Sequence, residues 1–343
     1  MQYKYLGDNQ IKISKIALGT WQFGGQRGWG SFDISEGQKI IDYCIERGIN
    51  LLDTAEAYGE SENILGGLLK GKRDKFIIAT KIGGNNFDYN TAKLHLEKSL
   101  KKLQTDHVDL YQIHWPKMKH LWHREDMGRK DYENIFNAMT RLKKDGLIRF
   151  AGVSNFRIHH LKEFSNEALD FIVSNQVPYS VLWRCYDVDQ TAEFCELNNI
   201  SFLAYSPLAQ GLLTGRFEKN TEIQEGVRKA NILFNEPLYS KALEVVKGIK
   251  NIANQIGATP SQVALKWAME KEIVATLLVG ARKLKHFEEN VKAVDINLSP
   301  EQINHIDKLS LEFQKEHLLP TLELWIGNCL QEDLDKYGLK KPW

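Results

Sequence analysis

Short apolar runs alternate with amphipathic stretches along almost the whole chain. Runs at residues 15–19, 49–52, 76–80, 108–113, 149–153, 171–173, 201–205 and 276–279 read as eight strands. Between them, apolar residues recur at helical spacing: Ile40, Ile41, Cys44 and Ile45; Leu96, Leu100 and Leu103; Ile135, Phe136, Met139 and Leu142. Shorter groups of the same kind are Ile158, Leu161 and Phe164, then Val188, Ala192 and Cys195. Ser35 with Gln38, Thr259 with Gln262 and Ser299 with Gln302 have capping-box spacing, and Pro260 and Pro300 fall in the first turn, where a missing N–H is not needed. Gly48 and Gly146 mark helix ends. Parallel strands in sequence need helical crossovers, so eight strands alternating with helices predict an α/β fold, a (β/α)8 TIM barrel.

Two connections, 115–131 and 207–237, are too long for simple turns. Both leave strands on the carboxyl-end rim, where such barrels carry their chemistry, and loops of this length are expected to cover a pocket. The first contains Lys117, Met118, Lys119, His120, Leu121, Trp122, His123 and Arg124. No low-complexity tract, repeat or composition shift marks a boundary. Residues 1–343 therefore read as one barrel domain, with a short N-terminal β cap at about 1–13 and a C-terminal tail at about 312–343.

Composition narrows the classes. Lys+Arg number 45 against 44 Asp+Glu, so no excess of positive charge is present to hold a phosphate backbone or an anionic membrane. No nucleic-acid or membrane partner is expected. The N-terminal residues lack a signal-peptide pattern and no apolar run approaches the roughly 18 residues of a membrane span, which gives a cytoplasmic expectation. The cysteines, Cys44, Cys185, Cys195 and Cys329, form no C-x-x-C pair; Cys44 and Cys195 fall on apolar helix faces and read as core thiols.

The rim supplies the candidate chemistry. Asp53, Lys81 and His114 each follow an apolar strand, and Tyr58 comes five residues after Asp53. Singly, each has an ordinary structural explanation, as a strand-end acid, a snorkelling amine, a core histidine or a packing phenol. Together, Asp53 and Lys81 should pair, because an unpaired buried charge costs several kcal/mol. The ammonium would then pull the Tyr58 pKa down from about 10 and make the phenol a usable proton donor. His114 could bind a carbonyl oxygen. The set suits carbonyl reduction, which needs a hydride source, yet no GxGxxG follows a strand. A P-loop-like run, Gly66 to Lys72, lacks the hydroxyl residue at Arg73 and reads as accidental. His114, His120 and His123 have no HExxH context, and no metal is expected.

Together with the rim residues, further motifs carry a resemblance that covers nearly the whole chain: Gly19-Thr20-Trp21, Asp53-Thr54-Ala55, Tyr58-Gly59, Ile64-Leu65-Gly66, and Asp109 to His114. Gly152-Val153-Ser154-Asn155-Phe156, Asn175-Gln176, Ala204-Tyr205-Ser206-Pro207-Leu208, Gly211-Leu212-Leu213, Gly280-Ala281-Arg282 and Glu289-Asn290 continue it. In this order they resemble the aldo-keto reductases, (β/α)8 barrels that use a nicotinamide cofactor without a Rossmann fold. The resemblance implies that Asp53, Tyr58, Lys81 and His114 form a catalytic tetrad. It implies that Gly19, Thr20, Trp21 and Asp53 border the cofactor, that Ser154, Asn155 and Gln176 hold the carboxamide, and that Tyr205 stacks on the nicotinamide. Ser206, Pro207, Leu208, Gly211 and Leu213 would follow the pyrophosphate, and Gly280, Ala281, Arg282, His286, Glu289 and Asn290 the adenosine end. His286 departs from the Arg or Gln common in the family, but the run Arg282-Lys283-Leu284-Lys285-His286 still favours NADP (NADPH) over NAD.

Trp21 and Trp115 match pocket-wall positions, with Tyr58 and His114 as the floor; the tail brings Trp325 and Trp343. The expected function is NADPH-dependent reduction of a small-molecule aldehyde or ketone, with the proton from Tyr58. Two alternatives are a cofactor-bound regulatory partner resembling potassium-channel β subunits, against which the early start of the barrel signal weighs, and a Schiff-base lyase using Lys81.

Overall fold

The computed structural model describes residues 1–6, 11–25, 30–83, 87–118, 126–223, 226–319 and 321–341. Eight parallel strands close into a barrel: β3 (Ile16–Gly19), β4 (Leu51–Asp53), β5 (Ile77–Ile82), β6 (Val108–Ile113), β7 (Ile148–Ser154), β8 (Ile172–Pro178), β9 (Ser201–Tyr205) and β10 (Val274–Gly280). Each pairs with its neighbour in sequence, and β10 closes onto β3 through Leu277↔Ile16 to Gly280↔Gly19. Before them, β1 (Tyr3–Leu6) and β2 (Ile11–Ser14) form an antiparallel hairpin. Its Leu6, Ile11 and Ile13 pack with Ala17, Leu51, Leu110, Phe150 and Leu203 in the barrel interior, so the amino-end opening is plugged by apolar side chains. Among the described residues, the opposite end is left open as a cavity.

All eight predicted strands form, with shifted ends. The Phe171 prediction fails because this residue completes the helix Asn166–Phe171, and the strand begins at Ile172 and runs to Pro178. Lys81 lies inside β5 rather than beyond it, whereas Asp53 ends β4 and His114 follows β6 directly. The helix Ile34–Arg47 is capped by Asp33, whose carboxylate accepts from the Ser35 N–H at 2.9 Å, so Ser35 is already helical and its predicted capping box does not form. An aspartate two residues upstream is an equally good acceptor and starts the helix earlier. Thr259 with Gln262 and Ser299 with Gln302 do form capping boxes, each followed by proline.

The sequence reading passed over the helix Leu238–Ile256, which packs on Pro300–His317. That last helix continues to His317, and the segment after it carries short helical turns at Ile326–Asn328 and Gln331–Asp335. The 207–237 connection is built from short helical turns at Ala209–Thr214, Val227–Ala230 and Ile232–Phe234. Of the 115–131 connection, Lys119 to Glu125, including Trp122, lie outside the described residues, as does Trp343. All four cysteines are free and buried.

Candidate active site

A cavity of about 1820 Å3 opens over the carboxyl ends of the strands. It exceeds the roughly 300–1,000 Å3 of an ordinary small-ligand pocket. At its floor, strand geometry brings the four rim groups together. The Lys81 ammonium donates to both oxygens of Asp53 at 2.9 and 2.8 Å and to the Thr54 carbonyl at 2.8 Å. The Tyr58 hydroxyl lies 3.3 Å from Nζ. The His114 ring meets the Tyr58 ring edge-on, with centroids 5.7 Å apart. Asp53, Tyr58 and His114 line the cavity; Lys81, 0 % exposed, stands behind them.

Tyr58 is placed by backbone contact as well as by its own side chain. It follows β4 in a tight loop, and a Cβ added at Gly24 would sit 1.8 Å from the Tyr58 carbonyl oxygen. Only glycine permits this approach. Burial, with the Asp53 charge adding to it, raises the Tyr58 pKa well above the ordinary phenol value. This corrects the expectation of a lowered value: removing the phenolate from water outweighs the ammonium beside it. Burial also lowers the Lys81 pKa, opposed by Asp53 and more weakly by Glu62.

A continuous set of hydrogen bonds joins this floor to the next strands. Gln176 donates its amide to Asp53 at 2.7 Å, the Ser154 hydroxyl donates to the Gln176 carbonyl at 2.8 Å, and the Asn155 amide donates to Ser154 Oγ at 3.0 Å and to the His114 carbonyl at 2.9 Å. The Tyr205 hydroxyl donates to Asn155 Oδ1 at 2.9 Å. Asn155 has φ = 66°, in the left-handed region that asparagine tolerates better than most residues. The strand ends thus fix the orientation of each amide.

Most of the other sequence-selected residues border the same cavity. Gly19, Trp21, Ser154, Asn155, Gln176 and Tyr205 line it beside the floor groups. Ser206, Pro207, Leu208 and Gly211 line it from the segment after β9, and Gly280, Ala281, Arg282, His286, Glu289 and Asn290 from the segment after β10. Trp115 and the tail residue Trp325 add aromatic walls, with the Trp21 and Trp325 rings edge-to-face at 5.6 Å.

Two chosen residues stand apart. Thr20 is fully buried, its hydroxyl donating to the Asp53 carbonyl at 2.8 Å, and Leu213 is fully buried in the hydrophobic core. Their motif neighbours face the cavity while they turn inward. Sequence reasoning also missed lining residues: Arg216 and Arg228 in the 207–237 connection, and Glu56 with its partner His95. Burial lowers the Arg228 pKa, and the guanidinium charges of Arg216 and Arg282 lower it further, so three cations share one region. The only sequence signal for Arg216 and Arg228 was positive charge in a long rim loop. His95 carried none, being one polar position on an amphipathic helix.

Comparison with known proteins follows the same outline. A profile of the Aldo/keto reductase family matches residues 15–311. The chain is 34 % identical over 297 residues to aldo-keto reductase YhdN of Bacillus subtilis, covering 82 % of this chain and 86 % of that one. It is 31 % identical over 333 residues to a putative voltage-gated potassium channel subunit beta of Schizosaccharomyces pombe, covering 90 % and 92 %. A crystal structure of an aldo/keto reductase from Klebsiella pneumoniae in complex with NADP and acetate superimposes with a TM-score of 0.69 at 26 % identity, covering 89 % of this chain and 94 % of that one.

Proposed function

The chain belongs to the aldo/keto reductase family, a family of oxidoreductases, and from that premise we propose that it reduces an aldehyde or ketone to the alcohol with NADPH. The observation that carries this reading is the Asp53–Lys81 pair with the Tyr58 hydroxyl 3.3 Å from the ammonium, at the floor of a large cavity. The residues present fit a nicotinamide dinucleotide. Amide and hydroxyl groups of Ser154, Asn155 and Gln176 complement a carboxamide, and the Tyr205 ring borders the same space. The turn after β9 has positive φ at Ser206, Ala209, Gln210 and Gly211, a conformation suited to curving around an anion. Arg216, Arg228 and Arg282 supply three cations for phosphate groups, which supports NADP over NAD.

When bound, the dinucleotide supplies a hydride to the carbonyl carbon. Tyr58 donates its phenolic proton to the carbonyl oxygen. Its raised pKa keeps that proton in place at neutral pH until charge develops on the oxygen. Lys81 stabilises the phenolate left behind, Asp53 favours the charged form of Lys81, and His114 orients the carbonyl. A Schiff base on Lys81 is disfavoured, because the amine is buried behind the floor and already donates three times to Asp53 and Thr54. The Schizosaccharomyces pombe relative supports a second reading, a cofactor-bound regulatory partner.

Turnover separates the two readings. A panel of aldehydes and ketones scored by NADPH oxidation is expected to show reduction, with kcat/KM at least about tenfold below that level when NADH replaces NADPH, a difference of about 1.4 kcal/mol. Equal values for the two cofactors would remove the role given to the arginines. NADPH binding without turnover would favour the regulatory reading.

A further inference from the structure

Beside the floor, a carboxylate–imidazole pair faces the same cavity and takes no part in the chemistry above. Glu56 lies between Asp53 and Tyr58 in the chain, and His95 comes from the helix Tyr89–Leu103. The Glu56 carboxylate is used at both oxygens: Oε1 accepts from the Gly83 N–H at 2.7 Å, and Oε2 is 2.7 Å from His95 Nδ1. The anchor is therefore tied to the end of β5, two residues past Lys81, and the imidazole is tied to the anchor. An ionised carboxylate accepts only, so Nδ1 is the protonated nitrogen and Nε2 is the one left to address a ligand.

We propose that Glu56 and His95 form a hydroxyl-recognition subsite, so that the preferred substrate is an aldehyde or ketone bearing a hydroxyl group beyond the reacting carbonyl. The proposal rests on the reductase reading and names the substrate class for that site. A hydroxyl is the group that fits the pair in either state of the ring, since it donates to Nε2 of a neutral imidazole and accepts from Nε2–H of a charged one. A carboxylate would be recognised only by the charged ring and would meet the charge of Glu56 beside it. Trp21, Trp115 and Trp325 border the same cavity and add apolar surface to it.

A matched pair of substrates tests this, glyceraldehyde against propanal, each reduced with NADPH. Wild type is expected to prefer glyceraldehyde in kcat/KM by about tenfold or more, because a site built to bond a hydroxyl rejects the analogue lacking it. In His95→Leu the ratio is expected to fall toward one, chiefly through KM for glyceraldehyde, while His95→Gln, which keeps a polar group, retains part of it. Glu56→Gln, which weakens the hold on the ring, should fall between. A ratio that does not move in His95→Leu while both aldehydes are still reduced overturns the subsite and leaves the reductase reading standing. If wild type reduces neither aldehyde nor any other carbonyl, the reductase reading falls and the subsite with it.

Discussion

Two buried aspartates are held in nearly the same way at opposite ends of the barrel strands. Asp109, near the start of β6, accepts from Arg73 and Arg149 at 2.8 Å each and from the Ile78 N–H at 2.9 Å. Asp53, at the end of β4, accepts from Lys81 through both oxygens and from Gln176. Their exposures are 2 % and 3 %, so burial does not distinguish them. The difference lies beyond the cation. Lys81 has a phenol against it and the cavity past the phenol, whereas the Arg73 guanidinium turns to the carbonyls of Phe76 and His107. A buried ion pair alone is weak grounds for function; one that touches a transferable proton at a cavity wall is much stronger.

The sharpest way to break the comparison is at the proton. Tyr58→Phe is expected to lower kcat by about two orders of magnitude or more, the scale of a lost general acid, with thermal unfolding little changed. Near-normal turnover by the folded variant would overturn the role given to Tyr58. At the other aspartate the expected pattern is reversed. Asp109→Ala should cost about 3 kcal/mol of stability, read from the denaturant midpoint, because it leaves the Arg73 guanidinium without its counter-charge and the Ile78 N–H without its acceptor. Its kcat per folded molecule should stay close to wild type, and a collapse of kcat without loss of stability would erase the distinction.

The smallest effect is in the pH profile. Because burial raises the Tyr58 pKa, the donor form persists through neutral pH, and kcat/KM for reduction should change by less than about threefold between roughly pH 6 and 8. Loss is expected only on the alkaline side, where Lys81, its pKa lowered by burial, gives up its proton before Tyr58, whose pKa is raised. A tenfold fall per unit setting in below about pH 8, absent from Tyr58→Phe, would show that the phenol titrates low and that burial does not win.

Much of this was readable before any coordinates. Strand and helix alternation follows from apolar spacing, and Thr259 with Gln262 and Ser299 with Gln302 announce their caps because capping is local chemistry. Ser35 misled because Asp33 offered a competing cap two residues earlier. The floor residues were visible because they end strands or closely follow them, and a parallel barrel brings strand ends together wherever they fall in the chain. Arg216, Arg228, Glu56 and His95 were not, since each comes from a loop or helix whose approach to the cavity depends on how the crossovers pack.

The chain's order of residues by itself determined the eight-stranded barrel, the placing of Asp53, Tyr58, Lys81 and His114 at one rim, and the family, all of which depend on spacing along the sequence. Tertiary structure alone decided which neighbours face the cavity, sending Thr20 and Leu213 inward while Trp21 and Gly211 stay on its wall. It also decided the direction of the Tyr58 shift. Spacing can predict that an ammonium comes near a phenol, but the pKa depends on how much water the fold removes from both, and that is a property of everything packed around them.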